Sequence, residues 1–194
     1  MHHIIRNAVV SAAIALCAPF AQAAVLDFED IAGPDGFAAV PGNYGGLDWS
    51  ESGLNVFTHE QFPFTPSSGQ GRATTDWTDG GPSASTIRFL APAVFTGAWF
   101  SGYGDSSVRF ELYFQGRLVA TSAALVLAEA PAFLEAGWDS LVDTVVVSSG
   151  FEASYAMDDF TFESPAQVPE PGSLALMLAG IGIVGALRGR RPEP

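Results

Sequence analysis

Residues 108–116 read VRFELYFQG. Apolar side chains occupy every second position of this stretch, which is the period of two expected for a strand with one buried face. The Gln-Gly pair at 115–116 is typical of a tight turn between antiparallel strands. The sequence therefore predicts a β-hairpin whose second strand covers residues 118–121.

Short strand patterns separated by glycine and proline continue on both sides of this hairpin. Apolar or β-branched runs predict further strands at 54–57, 85–89, 95–100, 141–148 and 155–162. The one helix-like stretch, residues 123–135, is interrupted by Pro131 and is interpreted as two short strands or a loop. This pattern predicts an all-β domain, an antiparallel β-sandwich of the jelly-roll, galactose-binding-like type.

Residues 33–81 differ in composition from the rest of the domain. They are rich in Gly, Pro, Ser, Asp and Thr, which favours either long loops laid over a sheet or a partly mobile segment. The single cysteine of the chain is Cys17. The predicted domain therefore has to be stable without disulfide bonds.

The predicted domain is strongly acidic. Residues 24–167 contain 19 Asp and Glu, 4 Arg and no Lys, which gives a formal charge of −15. Nucleic acid is not expected as a partner, because phosphate binding needs clustered cations. Two interpretations of the acidity remain open: it keeps the protein soluble and unassociated, or some carboxylates hold a divalent ion.

The N-terminus has the features of a secretory signal peptide. A basic start precedes the apolar residues 8–20, and Ala21-Gln22-Ala23 has the small-x-small pattern that signal peptidase cleaves. We therefore predict that residues 1–23 are removed and that the exported domain is residues 24–167. Cys17 does not fit a lipoprotein site, because the leucine before it is too bulky.

The C-terminal residues 168–194 combine three features. Val168-Pro169-Glu170-Pro171 is predicted to be an extended spacer, because proline does not enter a helix interior or a sheet ladder. The uncharged apolar run 172–187 follows, and then three arginines between 188 and 191. A helix of this length reaches only ~24 Å against a hydrocarbon core of ~30 Å. The apolar run and the arginines after it therefore predict a short single transmembrane helix with the arginines on the cytoplasmic side.

This order of spacer, helix and basic cluster resembles the tails of PEP-CTERM proteins, and residues 168–191 carry the resemblance. The resemblance implies that a membrane-embedded exosortase removes the helix and passes the mature protein onward. Such proteins are typical of Gram-negative bacteria that make exopolysaccharide or biofilm. The alternative is a plain C-terminal anchor that stays in place. A second Pro-Glu-Pro at 192–194 is interpreted as coincidence, since it follows the helix.

Acidic residues lie at both ends of the predicted domain. Near the start, Asp27 and Glu29 share the strand face opposite to two inward apolar side chains. Near the end, the alternation of inward residues slips by one position at Asp158-Asp159. This slip predicts a β-bulge, which re-aims side chains and frees carbonyl groups.

These two segments resemble the first and last strands of carbohydrate-binding jelly rolls, where a Phe-Glu and an Asp-Asp meet at a structural calcium ion. The resemblance implies Glu29 and Asp158 as calcium ligands, with Asp27 and Asp159 as weaker candidates. Calcium prefers six to eight oxygen ligands, which carboxylates and freed carbonyls provide. The alternative is that these acids face solvent and keep a sheet edge from pairing with another chain.

Large aromatic side chains are candidates for stacking on sugar rings. They are Trp49, Trp77, Trp99, Tyr103 and Trp138. Trp77 is the strongest candidate, because it lies in the polar stretch 74–81 beside Asp76, whose carboxylate is suited to bind sugar hydroxyls. We predict Trp77, Asp76 and Tyr103 as the ligand-binding residues. The alternative for each residue is packing in the core, which is expected above all for Trp99 in its apolar strand.

The predicted domain offers few groups for catalysis. His59 is its one histidine, and it contains no Lys or Cys, which excludes a Cys–His pair, a Schiff base and a histidine-rich zinc site. No Gly-x-Ser-x-Gly motif is present either. We therefore expect no enzyme. The remaining alternative is a small extracellular glycan-acting hydrolase or lyase that uses a carboxylate pair.

The sequence therefore predicts an exported protein at the cell surface or in the extracellular matrix of a Gram-negative bacterium, anchored transiently in the inner membrane. Its domain is expected to be a non-catalytic structural or binding module associated with polysaccharide or biofilm. The expected partners are signal peptidase, exosortase and exopolysaccharide, and the expected cofactor is structural calcium.

Overall fold

The computed structural model describes residues 22–33 and 35–164. Within these residues the chain forms 13 strands and no helix. The strands are β1 (Gln22–Leu26), β2 (Phe37–Ala39), β3 (Asn43–Tyr44), β4 (Leu47–Asp48), β5 (Leu54–Phe57), β6 (Arg72–Thr75), β7 (Ser83–Gly102), β8 (Ser107–Phe114), β9 (Arg117–Thr121), β10 (Leu125–Val126), β11 (Ala132–Glu135), β12 (Val142–Ser149) and β13 (Tyr155–Ser164). All the strand pairs are antiparallel, which confirms the predicted all-β class.

The long strand β7 connects the whole structure. Its part up to Phe89 pairs with β12 and β4, Ala93 pairs with β12 again after a register shift, and its part from Val94 onward pairs with β13 and β11. The predicted strands 85–89 and 95–100 are therefore one continuous strand. Pro92 does not interrupt it, because this residue lies between the two paired parts, where no ladder hydrogen bond is needed from it.

The partners of β7 form two groups of strands with an apolar core where they meet. Phe110 on β8 belongs to one group, and Phe95 and Phe100 on the second part of β7 belong to the other. The ring of Phe110 lies 4.8 Å from that of Phe95 and 5.6 Å from that of Phe100. The three side chains are buried. This arrangement is sandwich-like, and the jelly-roll type stays a prediction.

The hairpin that decides the fold is confirmed. In the ladder of β8 and β9, Phe114 lies opposite Arg117, which leaves a two-residue turn. Both turn residues have positive φ, 52° at Gln115 and 71° at Gly116, as a type I′ turn requires. The stretch 123–135 contains the two short strands β10 and β11, one of the two structures that its composition predicts.

The predicted bulge in the last strand is also confirmed. The register of β13 against β7 shifts between Asp158 and Thr161, and Asp159 has a φ of 48°. On its other edge, β13 pairs first with β6 and then with β1. The bulge lies where β13 changes between these two partners, so it places two acidic residues beside the loop that precedes β6.

Candidate functional site

Two loops without strand structure, residues 58–71 and 76–82, flank β6. Both are rich in glycine, proline and small polar residues, so they have few apolar side chains with which to order themselves. Their backbone N–H groups nevertheless need hydrogen-bond partners. Carboxylates from distant parts of the chain accept seven of these N–H groups.

Glu29, which follows β1, holds one end of the first loop. Its Oε1 accepts hydrogen bonds from the N–H of Gln70, at 2.6 Å, and from the N–H of Gly71. Gly69 lies directly against this carboxylate with a φ of +46°, and a Cβ at this position would collide with Glu29. Glycine is therefore required here, both for the left-handed backbone and for the close approach.

Asp158, in the bulge of β13, holds the same loop a few residues earlier. Its Oδ2 accepts the N–H groups of Ser67 and Ser68, at 2.8 and 2.9 Å, and the hydroxyl of Ser67 at 2.8 Å. The Ser67 hydroxyl also lies 2.9 Å from Oδ2 of Asp159, so the two carboxylates share its single proton, and the Ser68 hydroxyl donates to Oδ1 of Asp159 at 3.0 Å. Asp158 is only 2% exposed, and this burial raises its pKa to about 6 although the hydrogen bonds oppose the shift.

Arg72, the first residue of β6, is a buried cation beside these carboxylates. Its Nη1 donates to the carbonyl of Gln70 and its Nη2 to the carbonyl of His59, both at 2.7 Å. The guanidinium lies 4.2 Å from the ring centroid of Phe57, in cation–π geometry. The negative charge of Asp158 favours its charged form, although burial lowers the pKa of Arg72. Arg72 thus links the first loop to the core.

Three of the four predicted calcium ligands contact the first loop, and their oxygens face hydrogen-bond donors. The N–H and hydroxyl groups of residues 67–71 point at Glu29, Asp158 and Asp159. Asp27 is exposed and accepts the N–H of Glu29 at 3.3 Å. In the part of the chain that the structure describes, no three His, Cys, Asp or Glu side chains form a metal-binding group.

As placed, these side chains do not supply the six to eight oxygen ligands that calcium prefers, and the donors of the loop would repel a cation. A calcium ion at Glu29 and Asp158 would require the loop to move. Calcium binding therefore stays a prediction. A calcium-dependent rise in melting temperature would support it, and an unfolding curve that a chelator leaves unchanged would exclude it.

The second loop is held by Glu152, which lies between β12 and β13. Its Oε2 accepts the N–H groups of Thr78, Asp79 and Gly80, at 2.7, 2.9 and 3.3 Å. The bonds from Asp79 and Thr78 lower the pKa of Glu152 below its usual value. The loop carries Trp77, and a Cβ at Gly80 would lie 2.9 Å from the indole ring. Glu152 and the absence of a side chain at Gly80 together set the position of this indole.

Trp77 is 65% exposed and begins a row of aromatic rings. Its ring centroid lies 6.3 Å from that of Phe151, which lies 6.2 Å from that of Tyr103, which in turn lies 5.3 Å from that of Phe64. A cavity of about 500 Å³ runs along this row. We call it the aromatic groove, and its lining is Gln61, Phe64, Trp77, Tyr103, Asp105, Phe151 and Ala153.

The structure brings together two of the three residues predicted to bind ligand. Trp77 and Tyr103 both line the aromatic groove, although they lie on different loops. Asp76 is exposed but lines other cavities. Sequence reasoning missed Phe151 and Glu152, because a Gly-Phe-Glu turn between two strands gives no sign of what it contacts.

The other large aromatic candidates have packing roles. Trp49 is 2% exposed, and its Nε1 donates to a backbone carbonyl at 2.9 Å. Trp138 is half-buried and packs against the core. Trp99 is also half-buried and lies against Phe133, with 5.6 Å between ring centroids, so the prediction of a core position is only partly right.

The fold and the groove define an all-β antiparallel domain with an ordered, exposed aromatic surface. A comparison with family models matches residues 167–191 to the PEP-CTERM protein-sorting motif. This match confirms the motif predicted at residues 168–171. It implies an exported protein with a membrane-passing sorting tail that an exosortase processes. Among curated proteins, no match was found.

The predicted membrane helix at 172–187 and the sorting motif lie outside the described residues, as does most of the predicted signal peptide. In residues 22–33 and 35–164, no helix is long and apolar enough to cross a membrane. The predicted cleavage after Ala23 falls within β1, between its second and third residues. Ala24, Val25 and Leu26 would retain their pairing with β13 after such a cut.

The buried Asp158 predicts a specific pH dependence of stability. Its pKa in the folded protein, about 6, is above its ordinary value of 3.8, so the folded protein binds this proton more tightly than the unfolded chain does. The stabilisation that this proton provides is therefore complete at pH values below the ordinary pKa of 3.8, and it is lost as the pH rises through about 6. Asp158→Asn, which does not ionise, should lack this dependence.

The measurement is the free energy of unfolding in urea between about pH 4 and pH 7. The difference between wild type and Asp158→Asn should change by roughly 1–3 kcal/mol over this range. Asp27→Asn, at an exposed carboxylate, is the control substitution and should leave the pH dependence assigned to Asp158 in place. If the free energy of unfolding changes with pH in the same way in all three proteins, the pH dependence does not come from Asp158.

Proposed function

We propose that this protein is exported, sorted by an exosortase through its PEP-CTERM tail, and placed at the cell surface or in the extracellular matrix of a Gram-negative bacterium. Its domain has a non-catalytic role there and binds polysaccharide. The sorting part of this proposal is supported by the motif at 167–191 and by the signal-peptide pattern of residues 1–23.

The observation that carries the binding part is the aromatic groove. Rings that bind sugars need one exposed face and a fixed orientation, since a mobile ring loses entropy when it stacks. Trp77 is 65% exposed, while its loop is tied to Glu152 by three N–H groups. Gln61 and Asp105 line the same groove and are suited to bind sugar hydroxyls.

The competing class is a glycan-acting hydrolase or lyase that uses two carboxylates. The neighbouring pair Asp158 and Asp159 has one member with a raised pKa, as general acids often have. Both carboxylates, however, accept hydrogen bonds from Ser67 and Ser68, and neither lines the aromatic groove. We therefore favour binding without turnover.

Sorting predicts the covalent structure of the exported protein. After cleavage after Ala23 and processing at the Pro-Glu-Pro, the product should begin at Ala24 and lack the apolar residues 172–187. Intact mass spectrometry of protein from the culture medium and the cell surface tests this. In a strain without exosortase, the tail should remain. Full-length protein in the cytosol, or an intact tail in a strain with exosortase, would contradict the proposal.

Binding predicts that Trp77→Ala weakens polysaccharide affinity by about fivefold or more, because truncating an aromatic anchor costs about 1 kcal/mol or more. Affinity electrophoresis through gels that contain neutral or acidic polysaccharides, with the exopolysaccharide of the producing strain among them, measures this. Phe37→Ala is the matched control, since Phe37 is 50% exposed outside the groove.

Both variants should melt as wild type does, because they truncate exposed side chains. Equal retention of wild type and Trp77→Ala on every gel that retards the protein would contradict the role of Trp77. A reducing-sugar assay on the same material separates binding from catalysis. Release of new reducing ends would favour the hydrolase, and no release together with retention would favour the binding module.

A further inference from the structure

A second cavity adjoins the aromatic groove. It has a volume of about 370 Å³, and most of its lining belongs to the first loop. Gln61 and Phe64 line both cavities, so the two cavities are adjacent at these residues. Each has the size of an ordinary ligand-binding cleft, and both are open to solvent. Because they meet at Gln61 and Phe64, a ligand longer than one of the cavities would reach the other.

The second cavity has the same kinds of contact groups as the first. Phe62 lines it and is 75% exposed, which gives it a free aromatic ring as Trp77 gives one to the aromatic groove. The side chains of Gln61, Thr65 and Gln70 offer amide and hydroxyl groups along the same path. Exposed rings that alternate with uncharged hydrogen-bonding groups suit successive sugar units of one chain.

The charges along both cavities restrict the kind of chain. Glu60 and Glu129 are exposed in the second cavity, and Asp105 is exposed in the aromatic groove. Arg72 is the one cation among the residues that line them, and it is 2% exposed with both Nη groups bonded to backbone carbonyls. A polymer of acidic sugars would meet repulsion here without a compensating cation.

We propose that the two cavities are one continuous binding site for an interior stretch of an uncharged linear polysaccharide. The Trp77 ring binds one part of the chain, and the Phe62 ring binds a part several sugar units away. This inference rests on the proposed binding function and extends it: it assigns a second contact site, a neutral ligand class and recognition of chain interiors instead of chain ends.

The test is calorimetric titration of the purified mature protein with oligosaccharide ladders from disaccharide to hexasaccharide. The probes are cello-, xylo-, manno- and laminari-oligosaccharides, with oligogalacturonides as the acidic comparison. In a neutral ladder that binds, the affinity should increase by about tenfold or more with length as the second cavity fills. Oligogalacturonides of the same length should bind more weakly.

Two variants locate the second contact. Phe62→Ala should remove the increase with length and leave the affinity for the disaccharide unchanged, whereas Trp77→Ala should weaken binding at every length. Phe62→Leu keeps an apolar side chain beside Pro63 but has no flat ring, so it should behave as Phe62→Ala does. Melting curves of the three variants show whether a loss of binding is caused by unfolding and not by the loss of a contact with the ligand.

The outcomes separate this inference from the function on which it rests. If polysaccharide gels retain the protein but affinity does not change with length, the binding function stands and the continuous site is wrong. The same holds if both Phe62 variants bind the hexasaccharide as wild type does, or if oligogalacturonides bind equally well. If no ladder and no polysaccharide binds, the proposed function itself fails, and this inference fails with it.

Discussion

The structure depends on hydrogen bonds between three carboxylates and the backbone of two long loops. Glu29 and Asp158 each accept two N–H groups of the first loop, and Glu152 accepts three of the second. Without these acceptors the loops would have little to order them, since they contain few apolar side chains. Hydrogen bonds to an ionised acceptor are stronger than neutral ones. The surface ion pairs Arg88–Glu51 and Arg109–Glu111 are exposed and contribute much less.

These bonds connect the fold to the surface that we propose binds polysaccharide. The first loop carries Phe62 and Phe64, and the second carries Trp77. Glu152, which orders the second loop, directly follows Phe151, the ring against which Trp77 packs. The aromatic row is therefore ordered before any ligand arrives, which reduces the entropy lost on binding. Some of the acidic residues also have a structural role, because their carboxylates accept hydrogen bonds from backbone N–H groups.

The sequence predicts features that depend on neighbouring residues and misses those that depend on distant ones. The hairpin at 108–121 and the bulge at Asp158-Asp159 follow from local alternation, and both are confirmed. The sequence does not predict that β7 continues through Pro92. Local sequence patterns do not show that no backbone hydrogen bond to a neighbouring strand is required from this proline. The resemblance to jelly rolls implies that Glu29 and Asp158 lie near one another. It does not predict their N–H partners, which lie about forty and ninety residues away along the sequence. Tyr103 and Trp77 are both predicted sugar-binding residues, but only the fold shows that they line one groove.

Amide hydrogen exchange of the mature protein, followed by NMR, tests the central claim most directly. If carboxylates order the two loops, the amides of residues 67, 68, 70 and 71 and of residues 78–80 exchange much more slowly than the same sequence does unfolded. Truncation of Glu152 to alanine then accelerates exchange at 78–80 and leaves 67–71 protected. Exchange of all these amides at unfolded rates in the folded protein would contradict the account.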